Sequence, residues 1–298
     1  MADAEEAQHV EQGGLPVDVK AAGVHQERIQ LLAESGDMIL PQHSKEQRRP
    51  LHIDMDAIRR AAKELHGDSS PKSFLEQNFT LQKLLEHTHD SYPDFIAALK
   101  HSGVPDYAPW MLELCRRALG DTCSTRTMVG EQELREPFFH HGDLIVQGRL
   151  QVLCPFVVTG SLTVDGCMAD AGPVSNVAVG GNVNAHAVHT DGEMYVNGDI
   201  EAEVIYGYYN DHTLRASTIC ARLVIEDDHY TEADVEADVH FDLDTYQQGY
   251  GEGVQEQLRE VLVDEVFTQD DGDDEIRLDH QALYSQLWEG KSVFRPVD

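Results

Sequence analysis

Three groups of residues in this 298-residue chain have types and spacings that could do chemistry. His186 and His189 stand three apart in NAHAVHTDG, beside Asp191. An imidazole can ligate a metal or act as a general base, so a metal site or a catalytic base could be built there. No third ligand lies close in sequence, and the pair is read as two corner histidines. Asp227, Asp228 and His229 form a tighter acid–imidazole group, with His212 upstream in YNDH. Such a group could hold a divalent ion, but a solvated turn at a strand end explains it more simply. QDDGDDE, residues 269–275, has the composition of a calcium loop without its pattern: Phe267 stands where the first Asp is required. His140 and His141 read as linker, and Gly180-Gly181 as a lone pair. The chain contains no G-x-S-x-G, H-E-x-x-H, P-loop or G-x-G-x-x-G. No catalytic residue, metal or cofactor is therefore expected.

The elements that position these residues follow from a six-residue beat starting at Gly142. In GDLIVQGRLQVLCPFVVTGSLTVDG, Leu144, Leu150, Phe156 and Leu162 fall on one beat, and Val146, Val152, Val158 and Val164 on a second. Each step is an apolar-x-apolar pair followed by a polar or Gly corner. Residues i and i+2 of a strand share a face, so each pair points inward and the corner turns the chain. Three such strands make a coil of about 18 residues, the signature of a β-solenoid. An antiparallel sandwich would show turn signals at wider, less regular spacing. GDLIVQG and GSLTVDG are near copies one coil apart, and GEMYVNG is a third copy of the unit. Residues 167–176, CMADAGPVSN, read as a loop leaving the coil. The beat resumes at Val177 and Val179, and later strands are expected at 204–208, 214–216, 219–221 and 223–225.

The predicted fold class is α+β, a central β-solenoid with helices on either side in sequence. Residues 1–50 read as a loose arm, with one short helix possible over 24–33. Residues 51–121 form a helical domain. Asp54 caps its first helix, which runs to Leu65 and ends at Gly67. A second spans 74–87, a third starts at Pro93 and stops at Gly103, and a fourth starts at Pro109 with Gly120 behind it. Residues 122–141 are a polar linker, 142–229 the solenoid, and 230–298 an acidic segment with two helices. One of these covers 254–267, and the other is capped by Asp279 and followed by Gly290. A solenoid has two open ends, and the flanking helices are expected to cap them.

Composition narrows the function classes. The formal net charge is −32, which disfavours nucleic acid and anionic membrane surfaces as partners. It suits high solubility or a basic partner. No apolar run is long enough to span a bilayer, and the N-terminus lacks a signal-peptide pattern. The five cysteines form no C-x-x-C pair and are odd in number, which points to a reducing, cytoplasmic setting.

GDLIVQG, GSLTVDG and GEMYVNGDIEAEVI, followed by YGYYNDHTLRASTICARLVIEDDH, resemble the bactofilin-like, polymer-forming β-solenoid proteins of bacteria. The resemblance implies a solenoid fold and a cytoskeletal scaffold role. Flanking helices depart from the bare, stacking solenoid of that family. In this respect the chain is similar to solenoid proteins found beside bacterial polymorphic toxins. That likeness implies a non-catalytic protein that binds a partner, in its sharpest form an immunity protein neutralising a cognate toxin. The candidate partner-binding residues are Asp227, Asp228, Glu232, Asp234, Glu236, Asp238, Asp242 and Asp244. A hexapeptide-type acyltransferase would instead use His186 or His189 as base. The large residues Leu150 and Phe156, where that repeat wants small ones, count against it.

Overall fold

Alternating apolar residues make parallel strands here because each coil lays its strands over those of the coil before. The computed structural model describes residues 50–66, 84–99, 107–208, 212–242, 254–269 and 276–296. Residues 50–298 form one compact unit. The expected arm and the helix over 24–33 lie outside the described residues. So do most of the helix over 74–87, both Gly67 and Gly103, and residues 270–275.

The solenoid makes about six turns between residues 126 and 242. Thirteen strands build it: β1 (Arg126–Val129), β2 (Gln132–Leu134), β3 (Phe138–His140), β4 (Leu144–Gln147), β5 (Leu150–Val152), β6 (Pro155–Val158), β7 (Leu162–Asp170), β8 (Asn176–Val179), β9 (Val183–Thr190), β10 (Glu193–Val196), β11 (Ile200–Tyr208), β12 (Thr213–Asp227) and β13 (Tyr230–Asp242). All pairings among them are parallel.

The coil is a three-sided prism whose core is a set of columns. On the first side Arg126, Leu144, Leu162, Val183, Ile200, Ile219 and Val235 lie in register, coil upon coil. On the second, Leu150, Met168, Val188, Ile205, Val224 and His240 do the same. On the third, the column is Phe138, Phe156, Val177, Met194, Leu214 and Thr231. The members from Leu144 to Ile219, Leu150 to Val224 and Phe156 to Leu214 are buried. Each such large side chain contributes about 1.5–3 kcal/mol of burial free energy.

One corner is a glycine ladder. Gly160 donates its N–H to the Gly142 carbonyl at 3.0 Å, Gly181 to Gly160 at 2.9 Å, and Gly198 to Gly181 at 3.1 Å. Gly142 has φ 113°, and a Cβ there would collide with the Ser124 carbonyl. Gly181 thus has a structural task that its reading as a lone glycine did not foresee. GEMYVNG lies on the third side, whereas GDLIVQG lies on the first. The sequence copies therefore share a six-residue unit without sharing a side.

Several boundaries differ from expectation. Residues 122–141 are no linker: β1, β2 and β3 form a first coil beneath β4, β5 and β6. The acidic stretch after 229 is no loose segment either, since β13 is the last coil. Terminal coils have neighbours on one edge only, so their inward residues are half-buried and their composition is polar. Met128, Leu134 and Phe138 pack against the core at one end, and Ala233, Val235 and Ala237 at the other. Residues 167–170 continue β7 rather than leaving the coil, because Cys167, Met168 and Ala169 are all buried. The looped residues are only 171–175.

The helices follow the predicted caps. Asp54 accepts the N–H groups of Asp56 at 2.9 Å and Ala57 at 3.1 Å, opening α1 (Met55–His66). Pro93 and Pro109 sit in the first turns of α2 (Tyr92–Leu99) and α3 (Ala108–Leu119). After the solenoid come α4 (Val254–Val261), a short 3₁₀ turn (Asp264–Val266), β14 (Phe267–Gln269), β15 (Ile276–Leu278) and α5 (His280–Trp288). The helix expected over 254–267 is therefore shorter. Leu262 instead bridges Phe294, and Val263 donates to the Val293 carbonyl at 2.9 Å. Asp279 caps α5 by accepting from Gln281 and Ala282 at 2.9 and 3.0 Å.

These helices do not cap the ends of the coil. Phe139, Val157 and Ala178 point outward from the third side and share a cluster with Ile58, Phe95, Ile96, Met111 and Leu114 of α1–α3. Cys167, Ala187, Val204, Tyr206, Leu223 and Ile225 point outward from the second side. They share another cluster with Leu258, Leu262, Leu283 and Leu287 of the C-terminal elements. Two sides of the prism are buttressed by helices, which makes the helical segment at 51–121 part of the solenoid's own packing.

Candidate functional site

The first side of the prism carries no described helix, and its outward residues change character along the stack. Thr127, Ile145, Thr163, Asn184, Glu201, Cys220 and Glu236 lie in one register. Beside them run Val129, Gln147, His186, Glu203, Arg222 and Asp238. The early coils present mostly neutral side chains, Val129 at 75% exposure among them, with Asp165 as their one carboxylate in these two rows, whereas Glu201, Glu203, Glu236 and Asp238 stand on the later coils. The cross-coil contacts here are polar. Glu203 meets Arg222 at 2.8 Å and His186 at 3.5 Å, and Asn184 donates to Glu201 at 3.3 Å.

The acidic row expected to bind a partner is the outward set of β13. Glu232, Asp234, Glu236 and Asp238 are exposed and alternate with the inward Ala233, Val235 and Ala237, whereas Asp242, also exposed, follows the outward Phe241 and so lies on the other face of the strand. β13 follows all three sides of the last coil; the acidic row runs along the third and first sides, while on the second the outward residues are the apolar Val239 and Phe241. Glu232 pairs with Arg215 at 2.6 Å, and the Cys220 thiol donates to Glu236 at 3.9 Å. Asp244 lies outside the described residues. Asp228 sits in the turn before β13 with φ 56°.

Asp227 does not belong with this row. It is only 8% exposed and its carboxylate stands 3.3 Å from His280 Nδ1. His280 also contacts the Tyr206 hydroxyl and stacks on Tyr208. Burial pushes the His280 imidazole down to about 4. Asp227 thus anchors α5 against the second side rather than meeting a partner.

Coiling brings together residues that are scattered in sequence. At the corner between the second and third sides, Asp170 accepts the Asp191 N–H at 3.0 Å and the Ser175 hydroxyl at 3.3 Å. Asp191 in turn accepts the Gly172 N–H. His212 Nδ1 lies 2.8 Å from the Asp191 carbonyl, and His229 Nε2 lies 3.3 Å from that of Gly192. Asp170, Ser175, Thr190, Asp191 and His229 are all buried. Burial and then the neighbouring Asp191 charge push the Asp170 carboxyl up to about 7. Burial drives the His229 imidazole down to about 4.

These groups stitch successive corner turns together: Asp170 serves a backbone group of the following coil, and Asp191, His212 and His229 serve backbone groups of earlier ones. Among the described residues, no set of three His, Cys, Asp or Glu has the geometry to hold a metal ion. Asp170 and Ser175 were missed by sequence reasoning. Their signal was the polar insertion at 167–176, whose Asp170 falls one coil before Asp191.

The two candidate histidines of NAHAVHTDG part company. His186 faces the bare side, while His189 is buried against Tyr206 and Tyr284 with ring centroids at 5.2 and 4.7 Å. They cannot serve one site. The five cysteines are free thiols, of which Cys115, Cys154 and Cys167 are buried. Among the described residues, no helix is long and apolar enough to cross a membrane. In comparison with known proteins, the chain matches no protein-family model, and neither a curated protein nor a solved structure shows similarity to it.

Proposed function

We propose that this protein is a non-catalytic binding scaffold that holds a basic protein partner against its bare side and acidic last coil. One observation carries the reading: among the described residues, two of the three sides of the prism are buried under helices and the third is left bare, with Glu201, Glu203, Glu236 and Asp238 on its later coils. A parallel sheet buried on both faces needs apolar side chains outward as well as inward. Beyond Val129 and Ile145 the outward residues of the bare side are mostly polar, as suits a face open to solvent or a partner. A net charge of −32 speeds encounter with a basic partner and selects against acidic ones. In its sharpest form the partner is a toxin effector and the protein acts as its immunity factor in the cytoplasm.

The test is capture of partners by the full chain in cells that make it, beside a variant carrying Glu232→Lys, Asp234→Lys, Glu236→Lys and Asp238→Lys. A basic partner held by the native chain and lost by the variant is the expected result. For the immunity reading, that partner is encoded next to the chain's own gene. A partner retained equally by both chains overturns the electrostatic account.

A cytoskeletal scaffold is the second reading, favoured by one observation. The described helices lie on the sides of the prism and leave the end strands β1 and β13 without a covering strand. Filaments of the purified chain in negative-stain electron microscopy would support it.

A further inference from the structure

We infer that the outer edge of β13 accepts an extended, basic segment of the partner as one more strand of the solenoid. The inference rests on the protein-binding reading above and specifies how the partner is held.

β13 pairs with β12 along one edge, and among the described residues no strand pairs with the other. The backbone N–H and C=O groups of a strand point alternately to its two sides, so this edge offers a row of main-chain donors and acceptors. The core beneath is unfinished. Ile219 is fully buried, whereas Val235 directly above it is only partly buried, as are Ala233 and Ala237. A further strand would complete their burial.

Charge selects which strand. Two outward carboxylates are met by basic groups on the adjoining coil, Glu232 by Arg215 and Glu203 by Arg222. At the last coil Asp234 and Asp238 make no ion pair among the described residues, and Glu236 meets only the Cys220 thiol. An added strand lies about 4.8 Å away and presents alternate side chains to the same side. Lys or Arg at every second position would therefore sit over Asp234, Glu236 and Asp238 and continue the ladder.

A second copy of this chain fits poorly. Last coil against last coil would face one acidic row with another. First coil upon last, in continued register, would place Arg126 over the Val235 column and Thr127 over Glu236. That arrangement buries a guanidinium and leaves the carboxylate unpaired.

The probe is a nine-residue peptide alternating lysine with valine or threonine, compared with an isomer that gathers the same residues into blocks. Both are titrated into the full chain, and amide hydrogen exchange is followed over residues 231–241. The alternating peptide should bind at least about tenfold tighter than its isomer and slow exchange along β13. Glu236→Gln with Asp238→Asn, a change in exposed side chains, should weaken it several-fold. Equal binding of the two isomers, binding without slowed exchange, or no binding would each overturn the inference. A natural partner that depends on the acidic row yet leaves 231–241 exchanging freely also overturns it, while the binding-scaffold reading stands. Slowed exchange with the peptide upholds the edge site even where no natural partner is captured.

Discussion

Two stretches of β11 show how one strand can serve two environments. Residues 200–202 run along the bare side as Ile-Glu-Ala, and residues 204–206 along the second side as Val-Ile-Tyr. Ile200, Ala202 and Ile205 face the same core. The outward residues differ: Glu201 is exposed, whereas Val204 and Tyr206 are buried under the C-terminal helices. β12 repeats the contrast, with Ile-Cys-Ala at 219–221 and Leu-Val-Ile at 223–225. The backbone and core need are shared, so the outward residue alone decides whether a side recruits helices or stays open.

The sharpest way to break this comparison is to exchange the outward chemistry. Tyr206→Ala should cost about 3–5 kcal/mol in denaturant unfolding, and Glu201→Ala less than about 0.5. Comparable losses at both positions would show that the bare side is covered as well. Val157, which faces α1–α3, gives the same test for the third side: Val157→Asp should destabilise by about 3 kcal/mol, and Thr163→Asp on the bare side hardly at all.

The buried corner and the His280 contact of α5 together give a pH signature. His229 and His280 have folded values near 4 against the ordinary 6.5, so the unfolded chain takes up their protons first as pH falls. Their contribution is complete above 6.5 and is lost as pH drops toward 4. Asp170 works oppositely: with a folded value near 7 against 3.8, its contribution is present below 3.8 and lost as pH rises to about 7. Urea midpoints should rise from pH 4 to 6.5, and Asp170→Asn should steepen that rise. A flat profile in the native chain would count against the buried imidazoles being neutral.

Smaller effects mark the junctions. Asp279→Ala removes the α5 cap and should cost about 1 kcal/mol. Arg222 pairs with Glu203 on the bare side and lies 3.8 Å over the Phe294 ring. Its exposed position limits Arg222→Ala to about 0.5–1 kcal/mol by the same unfolding measurement.

The legible part of the sequence was the fully buried middle of the coil. Leu144 to Val164 keeps the six-residue beat because every inward position there has neighbours above and below. The first and last coils have neighbours on one edge only, so Met128 and Leu134, or Ala233 and Val235, are diluted among polar residues. In YTEADVEADVHFD the alternation was present, but the acidic residues hid it. The placement of the helices also had a signal. Unbroken apolar runs such as Phe156-Val157-Val158 and Leu223-Val224-Ile225 mark strands covered on both faces. The polar corner was not legible as a unit, because Asp170, Asp191, His212 and His229 meet only once the chain has coiled. Asp227 could not be separated from the acidic row for the same reason: its partner, His280, is more than fifty residues away.

The second inward column of the bare side narrows steadily. Met128, Val146 and Val164 are followed in register by Ala185, then Ala202, Ala221 and Ala237. The coils are therefore not interchangeable bricks. A duplicated early coil brings a valine that fits between valines, but the same coil placed late would force bulk into a space cut for a methyl group. The taper gives each coil an address within the stack, and lengthening of this molecule by internal duplication is easiest near its first coils.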